Sequence, residues 1–369
     1  MKRLSFISSY LAKNFSLYLI SALILALLFS AQSCKSPTAP KGNNPPDTTS
    51  SNFTFQTFTF GNTSAGSSYL NDVAIINDTD IWAVGAVYLT DSTGKPDPFP
   101  YNAVHWDGKS WNLLKITIQT KYGLVTMPLE GIFAFSSNDI WIVAGDPIHG
   151  DGKSWIDYDI RTITGDQSVD VSKAWGINSS SMYFVGRAGN IVSYTNGIWQ
   201  KIESGTTLPI QNIYGSVDSH GIQQILCVAS DKYTNEGSKL LQIKNNTVTA
   251  LPDSGLPWSL SSVWFMSNGK YYIAGDGLFE TSSLGSAWAQ VSGLPQIYSD
   301  AIRGEGYNDI VVSGSNGTLS HFNGIRWTNY INNPLPYITG RLVSANIKGN
   351  IIVAVGFSGN NAYLVMGKR

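Results

Sequence analysis

The chain has 369 residues, 43% hydrophobic and 12% aromatic, with 13% charged and a formal net charge of −1. That balance supplies ample apolar material for a core and leaves no basic footprint for nucleic acid or an anionic membrane surface. With 36 Gly and 11 Trp, it points to many short strands joined by tight turns.

The first segment reads as an address. Lys2, Arg3 and Lys13 precede an apolar run, Leu17 to Phe29, which is followed by Ser30-Ala31-Gln32-Ser33-Cys34. The run falls short of the roughly 20 residues a spanning helix needs, and its flanks match a cleaved export signal. The segment resembles a bacterial lipoprotein signal, with Gln32 where Gly or Ala is commoner. That resemblance implies a signal over residues 1–33 and a lipidated Cys34. It also implies export across an inner membrane, with the chain held at an outer membrane or cell surface through its lipid. Residues 34–52 are rich in Pro, Ser, Thr and Asn and are expected to form a disordered tether. Cys227 is then the sole remaining thiol, so no disulfide within the chain is expected.

From residue 53 onward one pattern recurs. Its clearest form is Asn77-Asp78-Thr79-Asp80-Ile81-Trp82-Ala83-Val84-Gly85, and it returns as Asn138-Asp139-Ile140-Trp141-Ile142-Val143-Ala144. Five further copies end in or near Gly186, Ala229, Gly275, Gly314 and Val355. Each has an apolar strand, a short polar turn and a second apolar strand closing on a small residue. Tyr88 to Tyr101 is an inserted loop that lengthens the first repeat. After the small residue come a third strand, a Gly turn and a Trp. Examples are Asp107-Gly108-Lys109-Ser110-Trp111, Asp151-Gly152-Lys153-Ser154-Trp155 and Asn323-Gly324-Ile325-Arg326-Trp327. Asp-Gly and Asn-Gly between apolar runs are strong hairpin signals.

Four strands in about 40 residues make a propeller blade, and there are seven copies. The last copy lacks a fourth strand, while Phe53 to Phe60 stands unpartnered and alternates as a strand with one buried face. The expectation is an all-β, seven-bladed β-propeller over residues 53–369, with four antiparallel strands per blade. The N-terminal strand completes the seventh blade. Across this span the repeats resemble the sialidase-repeat superfamily of propellers, especially the photosystem II assembly-factor-like group, which repeats a strand ending in Val-Gly, a Gly turn and a Trp. The chain departs from the aspartate box, Ser-x-Asp-x-Gly-x-x-Trp, because Asp107, Asp151, Asn196 and Asn323 stand directly before the glycine.

No catalytic set, metal-ligand spacing or phosphate loop stands out, and no cofactor is expected. His105, His149 and His321 occupy one repeat position in different blades and are expected to be structural. Aligning the copies puts Asp72, Gly131, Lys173, Asn212, Ser262, Asp300 and Arg341 in a ring at the mouth of the innermost strands. An Asp300–Arg341–Asp72 ion-pair chain across the closure is one reading of it. A mouth that binds a polar ligand is the other. Arg187 and Asp276 are expected on nearby loops, with Trp258 and Tyr337 as aromatics able to stack on a sugar. The expected function is a non-catalytic, envelope-anchored binding or assembly module for a protein or glycan, acting as a monomer. A glycan-active hydrolase or lyase is the alternative, and it requires Arg161, Arg187 and Arg341 to converge on one carboxylate.

Overall fold

The computed structural model describes residues 48–369 apart from 232, 233, 235 and 268. Cys34, the apolar run and most of the expected tether lie outside the described residues. Seven sheets follow one another along the chain, and the first strand returns to the last sheet. The molecule is a seven-bladed β-propeller. Blade 1 runs inside to outside as Tyr69–Asn77, Asp80–Val87, Tyr101–Trp106 and Trp111–Leu114. The innermost strands of blades 2 to 6 are Gly131–Ser136, Lys173–Asn178, Ile210–Val217, Leu260–Phe265 and Ser299–Gly306. Blade 7 is built from Gly340–Lys348, Ile351–Ser358 and Asn361–Lys368, with Thr54–Phe60 as its outer strand.

That outer strand pairs antiparallel from Thr54 opposite Lys368 to Phe60 opposite Ala362. Its alternation is not the expected single buried face. Phe53 and Phe55 pack into the seam between blades 6 and 7, whereas Phe58 and Phe60 pack into the seam between blades 7 and 1. Gln56 and Thr57, both exposed, switch the buried side. A strand at a closure has a seam on each side, so it can bury both faces. Residues 49–51, at the end of the expected tether, are bound to the ring. Ser51 Oγ donates to His321 Nδ1 at 2.9 Å, and the Ser51 carbonyl accepts from Tyr330 Oη at 2.8 Å.

Blade 2 is larger than the repeat implies. A hairpin, Ile118–Thr120 and Gly123–Val125, joins the outer edge of its strand Trp155–Asp157, with Gln119 opposite Ile156 in parallel register. The blade therefore has six strands. Ile118 is fully buried in the seam shared with blade 1.

The core is divided among the blade interfaces: seven apolar clusters each fill one seam. The tryptophans that open outer strands belong to these wedges, with Trp155 and Trp288 buried there. Burying such rings contributes about 25 cal/mol per Å² of apolar surface removed from water.

The small residue that closes the second strand has a cause other than crowding between converging blades. A Cβ on Gly85 would lie 2.2 Å from the Tyr69 carbonyl of the same blade; on Gly275 it would meet the Ser259 carbonyl at 2.1 Å, and on Gly356 the Arg341 carbonyl at 1.9 Å. The inner strand crosses its neighbour this tightly because it bulges immediately afterwards, between Leu70 and Asp72 in blade 1 and between Leu342 and Ser344 in blade 7.

The hairpin tips hold their shape through an aspartate or asparagine side chain as well as a glycine. Asp107 Oδ1 accepts from the backbone N–H of Lys109 and Ser110 at 2.9 and 2.8 Å, and Gly108 takes a φ of +90°. Those bonds, Ser110 first, pull the Asp107 carboxyl down to about 2.

Candidate functional site

The inner strands are short of space at the channel mouth, and the bulges decide what faces it. In five blades the inner strand carries an extra residue here: Asn71, Gln211, Ser261, Asp300 and Val343. Glu130 and Ser172 stand at the same place in blades 2 and 3, just ahead of strands that begin at Gly131 and Lys173. All seven line one cavity of about 580 Å³ at the mouth. Six of the seven are polar, which suits a place where side chains face a water-accessible cavity.

The ring expected from the sequence mixes three register positions. Asp72, Gly131, Lys173, Asn212 and Ser262 share the position directly after these seven residues, where blades 6 and 7 carry Ala301 and Ser344. Asp300 is a bulge residue, and Arg341 stands opposite Phe357, two pairs before the bulge. Asp72, Lys173, Asn212, Asp300, Arg341 and Arg187 do line the cavity. Asp276, Trp258 and Tyr337 do not. All three are exposed elsewhere, Trp258 by 41% and Tyr337 by 59%, on the loops where they were expected.

The charges pair across blades. Arg341 makes a two-pronged contact with Asp300, its Nε 3.0 Å from Oδ2, and lies 4.8 Å above the Tyr298 ring. Asp72 does not extend that pair into a chain. Its Oδ2 accepts from Lys173 Nζ at 2.7 Å and from Ile132 N at 3.3 Å; its Oδ1 accepts from Ser344 Oγ at 2.7 Å and Val73 N at 3.0 Å. One carboxylate therefore ties together blades 7, 1, 2 and 3. Arg187 donates to Asp170 at 2.6 Å and to Glu130 at 2.9 Å.

Arg161, Arg187 and Arg341 do not converge. Arg161 donates to Asp146 at 2.7 Å and lies outside the cavity lining, and Arg341 is committed to Asp300. Arg161 and Arg187 do meet at Asp170, 3.6 and 2.6 Å from its two oxygens, but Arg341 is held apart by Asp300, so the three guanidinium groups form no common seat for a substrate acid.

The three repeated histidines each brace two strands of one blade. His105 Nε2 lies 2.9 Å from Asp80 Oδ1, His149 Nε2 2.8 Å from Asp139 Oδ1, and His321 Nε2 2.7 Å from Asp309 Oδ1. The aspartate that opens each second strand fixes the imidazole, and Trp82 and Trp141 stack on His105 and His149 at 4.2 and 4.3 Å. Cys227 is buried, and desolvation pushes its thiol well up, so it packs as a small apolar group.

Arg303 and Glu130 are the mouth residues that motif reading misses. The signal for Arg303 lies in the register. Its position is filled by Ala74, Phe133, Trp175, Tyr214, Trp264 and Asn346 in the other blades.

The fold is shared with known propellers. No protein-family model matches this sequence, and no curated protein does either. Solved structures do. The chain is similar to YCF48 bound to a D1 peptide, at 14% identity and a TM-score of 0.61, over 88% of this chain and 99% of that one. It is similar also to the WD40 β-propeller domain of Doa1, at 14% identity and a TM-score of 0.58, over 86% of this chain and 98% of that one. At this identity the likeness establishes the architecture.

Proposed function

We propose that the protein is a non-catalytic binding or assembly module that takes an extended peptide or protein segment across its channel mouth, displayed at a cell envelope on a lipidated Cys34. The observation that carries the reading is the mixed-charge rim. Arg187 with Glu130, Lys173 with Asp72, and Arg341 with Asp300 wall one cavity of about 580 Å³, and Asp170 holds Arg187 from outside its lining. Groups of both signs around a concave mouth suit a segment carrying alternating charge, by steering and register more than by buried area. A solved propeller of the same architecture carries a peptide, which supports the choice of a peptide over a glycan. The exposed side chain of Arg187 is the contact best placed to exchange an internal partner for one on a ligand, because the surface pairs it would give up are worth little.

The test is capture of an overlapping peptide library and a glycan array by the purified protein, beside Arg187→Ala. We expect peptides bearing both charge signs to bind, and the substitution to weaken them about tenfold, near one charge-assisted hydrogen bond, with no fall in Tm. Peptide binding unchanged by Arg187→Ala, or binding of glycans alone, overturns the reading.

A further inference from the structure

One cation in the channel, Arg303, makes no ion pair among the described residues, and the field of Asp72 reaches it only from beyond 4.0 Å. Arg303 projects from the innermost strand of blade 6 and lines both the mouth cavity and a narrower space of about 170 Å³ beneath it. The other charges of that lower space, Asp72 and Lys173, neutralise each other at 2.7 Å. Both Asp72 oxygens are already occupied, by Lys173, Ser344 and two backbone N–H groups. Among the described residues no carboxylate lies within 4.0 Å of Arg303.

Its protein partners are neutral. Nη1 donates to Ser262 Oγ at 3.0 Å and to the Ile302 carbonyl at 2.7 Å, and Nη2 donates to Asn212 Oδ1 at 3.3 Å. The Tyr214 ring lies 5.5 Å from the guanidinium carbon. These contacts fix the fork in place without balancing its charge. Burial pulls the guanidinium below its ordinary value, the mark of a desolvated cation. Removing a charge from water is costly unless an opposite charge replaces the lost hydration. Arginine's planar donor fork is also matched to two oxygens of one acid group.

We infer that the channel holds a small carboxylate or phosphate ion on the Arg303 guanidinium, beneath the mouth. The ion enters through the mouth cavity, and Asn212 and Ser262 hold the fork that receives it. This inference does not rest on peptide capture at the rim, and its assay contains no peptide.

The experiment is a thermal-shift and calorimetric titration of the full-length protein with sodium acetate and with sodium phosphate, each against sodium chloride at matched ionic strength. Arg303→Gln is run beside it. Phosphate raises the Tm of many proteins by exclusion from their surface, so the reading is the difference between the two proteins. We expect a saturable rise in the wild type with acetate or phosphate, together with measurable heat, and loss of both in Arg303→Gln. A rise of the same size in both proteins, or no saturable binding of either ion to the wild type, overturns the inference. Should Arg303→Gln fail to fold, Arg303→Lys decides. The ammonium keeps the charge and loses the fork, so the midpoint should weaken about tenfold; an unchanged midpoint overturns the proposal.

Discussion

Asp309 shows how single residues carry the ring's closure. It is 5% exposed, accepts from His321 Nε2 at 2.7 Å, and makes a two-pronged pair with Arg369 at 2.9 and 2.7 Å. Arg369 also donates to the Ser50 carbonyl at 2.9 Å, so one carboxylate gathers blade 6, the last strand and the residues leading into the first. Burial by itself raises the Asp309 carboxyl, but the bonds from His321 and Arg369 outweigh it and leave it below its ordinary value. An aspartate in the unfolded chain titrates near about 3.9. The stability Asp309 contributes is therefore complete above that value and is lost as pH falls through the lower folded value. Asp309→Asn should cost about 3 kcal/mol at neutral pH, since it removes the negative charge and turns one of the two oxygens that serve Arg369 and His321 into a donor in a buried site. Its Tm should also fall less steeply than the wild type's below pH 4. Scanning calorimetry from pH 7 to pH 2 checks both, and parallel acid limbs would show that Asp309 is not the group responsible.

At the scale of the element, the bulge in the inner strand of five blades links fold to site, and it sets the limit of what the sequence reveals. The blade count, the closure and most strand limits are legible, because hairpin glycines, the aspartates that open second strands and outer-strand tryptophans recur in step. The mouth is less legible. A bulge adds one unpaired residue with no motif of its own, so an alignment of copies slips by one position at Asp300 and further at Arg341. The hairpin added to blade 2 is missed for a related reason: its strands, Ile118–Thr120 and Gly123–Val125, are too short to show a period. The glycines beside the bulges give the matching prediction. Gly356→Ala should lower stability by about 1–3 kcal/mol, as overpacking does, because its Cβ would stand 1.9 Å from a backbone oxygen that has nowhere to move. Ala229, opposite Ile210, already carries a methyl group at this position in blade 4, so Ala229→Gly should cost less than Gly356→Ala. Urea unfolding of the pair decides it; equal losses would mean that the close approach is not what selects glycine.

For the whole molecule, the seven seam clusters form a closed circuit in which every blade is a neighbour to two others, with blade 7 assembled from both ends of the described chain. Each innermost strand keeps one sheet edge, turned to the channel and protected by the ring. The proposed anchor makes a prediction at this scale. Cys34→Ser should move the protein from the membrane fraction to the soluble fraction with its Tm unchanged, since no described blade contains that residue; retention in the membrane would remove lipidation from the proposal. A lipid at Cys34 has a mechanical consequence as well. Tension on the chain ahead of Thr48 reaches the ring first at Thr49, bonded to the carbonyls of Asn308 and Asn323, and then at Ser50 and Ser51, clamped by Arg369, Tyr330 and His321. Beyond them it enters Thr54–Phe60 along the strand axis. Pulled in that direction, the pairs with Asn361–Lys368 bear the load in shear, all at once instead of one after another. The strand that closes the ring is then also the one built to resist being drawn out of it.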